Sequence, residues 1–267
     1  MRRREEPYQR MGVTTAFRKY QELVRKAEDL DSLDCALCRI TQDVGCDYYA
    51  VSHHIDWGSG LPQAFRLINY PEPWIDFYDR NGFVGRDFVH RASGRTQNPF
   101  LWREAAELIE YSTYDERFLD LARRHGIYDG FTVPSNVPGE FLGSCTFATA
   151  PGHPLDEDGL ILARLIAPEV FAAARRLVGL TEVMACINSP LLTARQRECL
   201  LWMMAGKTDW ETGIILGIAE ETVRRHISDA GKRLGAQSRP LLAFLACRSG
   251  VISYPEVPFG SYTRNRV

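Results

Sequence analysis

The stretch from Leu192 to Gly235 constrains this chain most. It reads LTARQRECLLWMMAGKTDWETGIILGIAEETVRRHISDAGKRLG. Thr193 stands three residues before Gln196, the spacing of a capping box at a helix start. Gly206 ends that helix. Thr208 or Asp209 caps a second, which Gly217 ends with a tight turn. Glu220, Glu221 and Thr222 open a third, the acids sitting where a helix dipole favours negative charge. The predicted helices are Ala194–Ala205, Asp209–Leu216, Glu220–Leu234 and Ser238–Gly250, with no strand signal among them. Two short helices joined by such a turn have the form of a helix-turn-helix.

In the third helix Val223, Ile227, Ala230 and Leu234 fall on one face at helical spacing and read as core. The other side presents Thr222, Arg224, Arg225, Ser228, Asp229 and Lys232. Guanidinium groups pair with phosphates or grip a guanine edge, while Lys and Ser suit phosphate positioning. The overall formal charge is -2, but residues 191–252 hold nine basic residues against six acidic ones. The first 190 residues carry the compensating negative charge. That asymmetry is modest and supports nucleic-acid binding only alongside the helix pattern.

Residues 192–252 resemble the LuxR/FixJ carboxy-terminal DNA-binding family. The resemblance rests on Leu192-Thr193, Arg197-Glu198, Leu200, Gly206-Lys207, Ile215-Leu216, Ile218, Glu221-Thr222-Val223, His226 and Leu234-Gly235. The chain departs from the family at Thr212-Gly213, where Ile-Ala is usual, and at Asp229, where Asn is usual. Gly231 lies inside the recognition helix. The resemblance implies double-stranded DNA as a partner, a homodimer on a two-fold site, and RNA polymerase as a candidate further partner.

Ahead of this lies a mixed order of elements. Helices are predicted over 13–30 and from a Ser32 cap to about Ile40, then extended runs at Tyr48–His53 and Ala64–Ile68. Pro71 and Pro73 open a short helix, Thr113 caps another that Gly126 ends, and runs at Gly130–Pro134 and Phe141–Ala148 precede a long helix over Leu155–Leu177. The fold expected is α+β: an amino-terminal α/β/α sandwich on an antiparallel sheet, then an all-α four-helix helix-turn-helix domain. Expected boundaries are 1–178 for the first domain, 179–191 for a linker, 192–252 for the second domain and 253–267 for a flexible tail.

The segment NYPEPWIDFYDRNGFVGRDFVHRASGRTQNPFLW, with DGFTVP and LGSCTFATA further on, resembles the autoinducer-binding domain of LuxR-type receptors over about 15–178. The matched positions are Tyr70, Trp74, Tyr78, Asp87, Trp102, Gly130 and Thr146. The resemblance implies an N-acyl-homoserine lactone as ligand and no cofactor. It gives the Trp74 indole N–H to the lactone carbonyl, the Asp87 carboxylate to the amide N–H and the Tyr70 hydroxyl to the amide carbonyl. Thr146 reaches that oxygen or a 3-substituent, and Tyr78, Phe100 and Trp102 supply walls. Phe88 stands where the family usually has Pro, adding ring volume beside the amide. The plain alternative makes these aromatics core and Asp87 a helix cap.

Two rival functions are weighed. One is an orphan regulator of the same fold that binds DNA without a lactone. The other is a lactone hydrolase using His53, His54, Asp56 or Cys145, for which no nucleophile elbow or metal motif is present. Seven scattered cysteines and no apolar run of membrane-spanning length place the chain in the reducing cytoplasm.

Overall fold

A computed structural model describes residues 12–57, 64–180 and 192–258. The chain divides into two compact units, residues 1–182 and 183–267. The expected linker therefore lies mostly outside the described residues.

The first unit is built on five antiparallel strands: β1 Tyr48–His53, β2 Arg66–Ile68, β3 Phe100–Leu101, β4 Asp129–Pro134 and β5 Gly143–Thr149, in the order β2-β1-β5-β4-β3. Side chains alternate across a strand, and here both faces are covered. Tyr49, Val51, Cys145, Phe147, Phe131 and Val133 pack with helices α1 Val13–Lys26, α2 Leu30–Val44 and α7 Glu157–Leu177. The opposite face carries α3 Glu72–Arg80, α4 Phe88–Ser93, α5 Ala105–Leu108 and α6 Thr113–Arg124, around an aromatic cluster that includes Trp74, Phe88, Trp102 and Phe118. The α/β/α sandwich expected from sequence is the fold observed.

Helix starts follow local hydrogen bonding, and two expected caps are corrected. Asp29, not Ser32, caps α2; Ser32 is the partner three residues on, its amide donating to Asp29 at 2.8 Å. Ser112, not Thr113, caps α6 in a box with Asp115. Buried Asp115 also accepts from Arg91 of α4 at 2.8 Å, tying α4 to α6.

The second unit comprises α8 Ala194–Met204, α9 Asp209–Leu216, α10 Glu220–Leu234 and α11 Arg239–Arg248. Thr193 and Thr208 form capping boxes with Gln196 and Glu211. Gly217, at φ 66°, closes α9 in the left-handed conformation that favours glycine. The departure at Gly213 has a steric reason: a Cβ there would lie 2.7 Å from the Ile218 carbonyl oxygen, so the turn admits no methyl group. Past α11 the chain does not leave the core. Ile252 and Val257 are buried, and Glu256 pairs with Arg197. The start of the expected flexible tail is docked, while 259–267 lie outside the described residues.

Candidate functional site

The β1–β5 register sets out the floor of a cavity in the first unit. Ala50 lies opposite Thr146 and Ile68, and one step along the strands Ser52 lies opposite Ser144 and Arg66. These side chains share the face beneath α3, α4 and α6. The cavity between measures about 80 Å³, room for the centres of several water molecules. Seven of the nine ligand residues expected from sequence line it: Tyr70, Trp74, Tyr78, Asp87, Phe88, Trp102 and Thr146.

Phe100 and Gly130 do not line the cavity. Phe100 is buried in the aromatic cluster on β3. Gly130 acts by having no side chain: a Cβ would sit 2.4 Å from the Trp102 ring. The glycine thus lets the indole lie against β4. Trp102 Nε1 then donates to Thr132 at 3.1 Å, and the hydroxyls of Thr132 and Thr146 share a bond of 2.9 Å.

Asp87 does two things. Its Oδ1 accepts from the Val89 amide at 2.8 Å, capping α4, and its Oδ2 accepts from the Tyr78 hydroxyl at 3.0 Å. Each carboxylate oxygen retains acceptor capacity beyond one bond. Tyr78 is therefore a polar partner of Asp87 and not merely wall. Trp74 is 4% exposed and Asp87 7%, so both are withdrawn from solvent. Neither the Trp74 indole N–H nor the Tyr70 hydroxyl bonds another described residue. Burial, with the negative charge of Asp87 near, pushes the Tyr70 phenol well up, and the same two causes raise Tyr78. Both hydroxyls stay protonated at neutral pH.

Phe88 occupies its place as a core ring. It is 1% exposed and makes edge contacts with Trp102, Tyr111 and Phe118. It closes one wall without filling the space between Trp74 and Asp87.

Sequence reasoning missed part of the lining. Ser52 and Ser144 share alternate positions with Ala50 and Thr146, a period-2 signal that the strand assignments contained. His90 follows Asp87 by one helical turn. Its ring stacks on His54 at 3.8 Å and 12°, and His54 Nε2 bonds the Ser144 hydroxyl at 2.9 Å. Trp57 and Arg66 complete the rim, Arg66 donating twice to Asp79 at 2.8–2.9 Å.

In the second unit the recognition helix α10 turns Val223, Ile227, Ala230 and Gly231 inward. Thr222, Arg224, Arg225, Ser228, Asp229 and Lys232, with Glu221, line one shallow concavity on the other side. Their charges are not equally available. Arg224 pairs with Glu220 at 2.7 Å, Glu221 at 2.8 Å and Asp209 at 3.7 Å. Asp209 in turn takes Arg239, so this network joins α9, α10 and α11. Lys232 lies 3.5 Å from Asp229. Arg225 has no acidic partner among the described residues.

Among the described residues no helix is long and apolar enough to cross a membrane, and no group of three ligating side chains forms a metal site. Residues 29–177 match the family model described as "Autoinducer binding domain", and residues 190–246 match "Bacterial regulatory proteins, luxR family". The transcriptional activator VanR of Vibrio anguillarum is 32% identical over 214 residues, covering 78% of this chain and 86% of that protein. The HTH-type transcriptional regulator y4qH of Sinorhizobium fredii is 30% identical over 70% of this chain, which spans 56% of that relative's length. In fold, the crystal structure of Escherichia coli SdiA aligns with a TM-score of 0.58 at 23% identity, over 90% of this chain and 98% of that one. Family models thus account for both units in the order in which the chain presents them. The chain belongs to the LuxR-type family of bacterial transcription regulators, with an autoinducer-binding domain ahead of a DNA-binding helix-turn-helix domain, and it is not an enzyme.

Proposed function

We propose that the first unit binds an N-acyl-homoserine lactone and that the loaded protein binds a two-fold DNA site as a homodimer. The carrying observation is the meeting, in one cavity, of two donors without described partners (Trp74 Nε1 and the Tyr70 hydroxyl) and one carboxylate with acceptor capacity to spare, Asp87. A guest that displaces cavity water from a donor without offering an acceptor loses affinity. A lactone carbonyl, an amide carbonyl and an amide N–H are the complement of that set: two acceptors and one donor on a neutral guest.

The Asp87 carboxylate gives the amide N–H a charge-assisted bond. Tyr78 and the Val89 amide hold that carboxylate in place before any guest arrives, which lowers the ordering cost of binding. Ligand that binds only the folded form stabilises it by RT ln(1 + [L]/Kd). The second unit then presents α10 to the major groove, with Arg225, Ser228 and Lys232 on phosphates or base edges and Thr222 and Asp229 beside them. Two copies related by a two-fold axis match a palindromic site. RNA polymerase is the next partner in such a scheme, and the cytoplasm is where DNA and a diffusible lactone meet.

The test is a lactone titration on the full chain. Trp74→Phe and Asp87→Asn are each expected to weaken binding roughly 5- to 150-fold, the equivalent of about 1–3 kcal/mol for an abandoned buried partner. Asp87→Asn keeps a side-chain oxygen for capping α4. Unchanged titration by both variants overturns the assignment. One observation favours the orphan reading: both Asp87 oxygens already have protein partners and the cavity is compact. Soluble, folded protein that binds its operator equally well with and without lactone would establish that reading instead.

A further inference from the structure

The cavity has a second polar region that adjoins the Asp87 set through His90, whose Nε2 lies 3.9 Å from Asp87 Oδ2. Tyr48 of β1 touches the ring of the lining residue Tyr70, centroids 5.9 Å apart. Ser52 lies four residues further along the same strand, about 13 Å away. There Ser52 and Ser144 stand opposite one another, and Arg66 flanks Ser52 on β2. His54, bonded to Ser144 and stacked on the lining residue His90, lies behind this end. The Ser52 hydroxyl bonds no other described residue, and His54 Nδ1 is buried without a hydrogen-bond partner among them.

A plain alkyl chain is a poor occupant of such an end. It would desolvate the Ser52 hydroxyl, which has no described partner, and offer nothing in return, and a buried polar group left unmatched weakens binding. We infer that, given a lactone in the cavity, its acyl group carries a distal hydroxyl or carbonyl seated against Ser52 and Ser144. This rests on the lactone reading and adds the ligand class to it. The hydroxyls of Ser52 and Ser144 donate to the distal oxygen, and a distal hydroxyl donates onward to a serine oxygen.

The experiment compares hexanoyl-homoserine lactone with 6-hydroxyhexanoyl-homoserine lactone by fluorescence titration of the full chain, in wild type and in Ser52→Ala and Ser144→Val. The expected result is roughly five- to tenfold tighter binding of the hydroxylated compound by wild type. That preference should shrink in Ser52→Ala and reverse in Ser144→Val, the valine being well suited to a strand. Equal binding of the two lactones, or an unchanged preference in both variants, overturns the distal polar subsite while leaving the lactone reading intact. Binding of neither compound, nor of a decanoyl lactone, overturns both.

Discussion

Gly130 shows how a residue acts through what it lacks. The Trp102 ring fills the place a side chain would take, and its N–H reaches Thr132, which in turn holds Thr146. Gly130→Ala is therefore expected to push the indole off β4 and disturb the Thr146 wall. The measurable outcome is a loss of about 1–3 kcal/mol of stability from overpacking, together with a changed tryptophan emission. His53 makes a different case on the opposite face of the sheet. It is fully buried among Phe65, Phe141 and Phe171, and neither ring nitrogen has a hydrogen-bond partner among the described residues. Burial lowers its pKa from 6.5 to about 4. Between those values the unfolded chain binds the proton and the folded chain does not, so stability rises with pH through that window and is lost as pH falls. His53→Phe, placed among three phenylalanines, should leave stability at pH 7 equal or higher. It should also flatten the pH dependence between about 4 and 6.5 in denaturant titrations, removing up to about 3 kcal/mol of variation.

At the scale of elements, the recognition helix separates cations that look equivalent in sequence. Arg224 is held by three carboxylates and braces α9 and α11 through Asp209, whereas Arg225 is exposed without such a partner. Arg225→Ala should cost more DNA affinity than Arg224→Ala and reduce the salt slope of binding by about one. Arg224→Ala should chiefly lower the stability of the second unit. Mobility shifts at several salt concentrations, beside thermal melts, distinguish the two; equal DNA losses from both would refute the division.

The same scale shows what was legible in the sequence. Elements with a long period or a cap pair were readable: α9 and α10 at their expected bounds, β1 at Tyr48–His53, and the long α7. Three short elements were not: α4 with six residues, β3 with two and α5 with four are too short to carry a period. The capping errors at Ser32 and Thr113 arose because Asp29, three residues earlier, and Ser112, one residue earlier, take the cap position. In the site, Trp74 and Asp87 stood out through a motif. Ser52, Ser144 and the stacked histidines did not, since they meet only once β1, β5 and α4 are assembled. The ion pairs that occupy Arg224 likewise depend on α9 folding beside α10.

For the whole molecule, the two units carry different chemistry. The negative unit bears the cavity proposed to hold a neutral guest, and the net-positive helical unit carries the recognition helix. A guest stabilises only the form of the first unit that encloses it, so occupancy and the amount of folded regulator rise together. The decisive measurement is mass spectrometry of small molecules extracted from protein purified in the presence of a panel of homoserine lactones. Recovery of one lactone at near-stoichiometric amounts from wild type, and its absence from Trp74→Phe protein that is equally folded, is the result expected. Folded wild-type protein that yields no lactone, yet still binds its operator, would contradict the account of the cavity as a sensor.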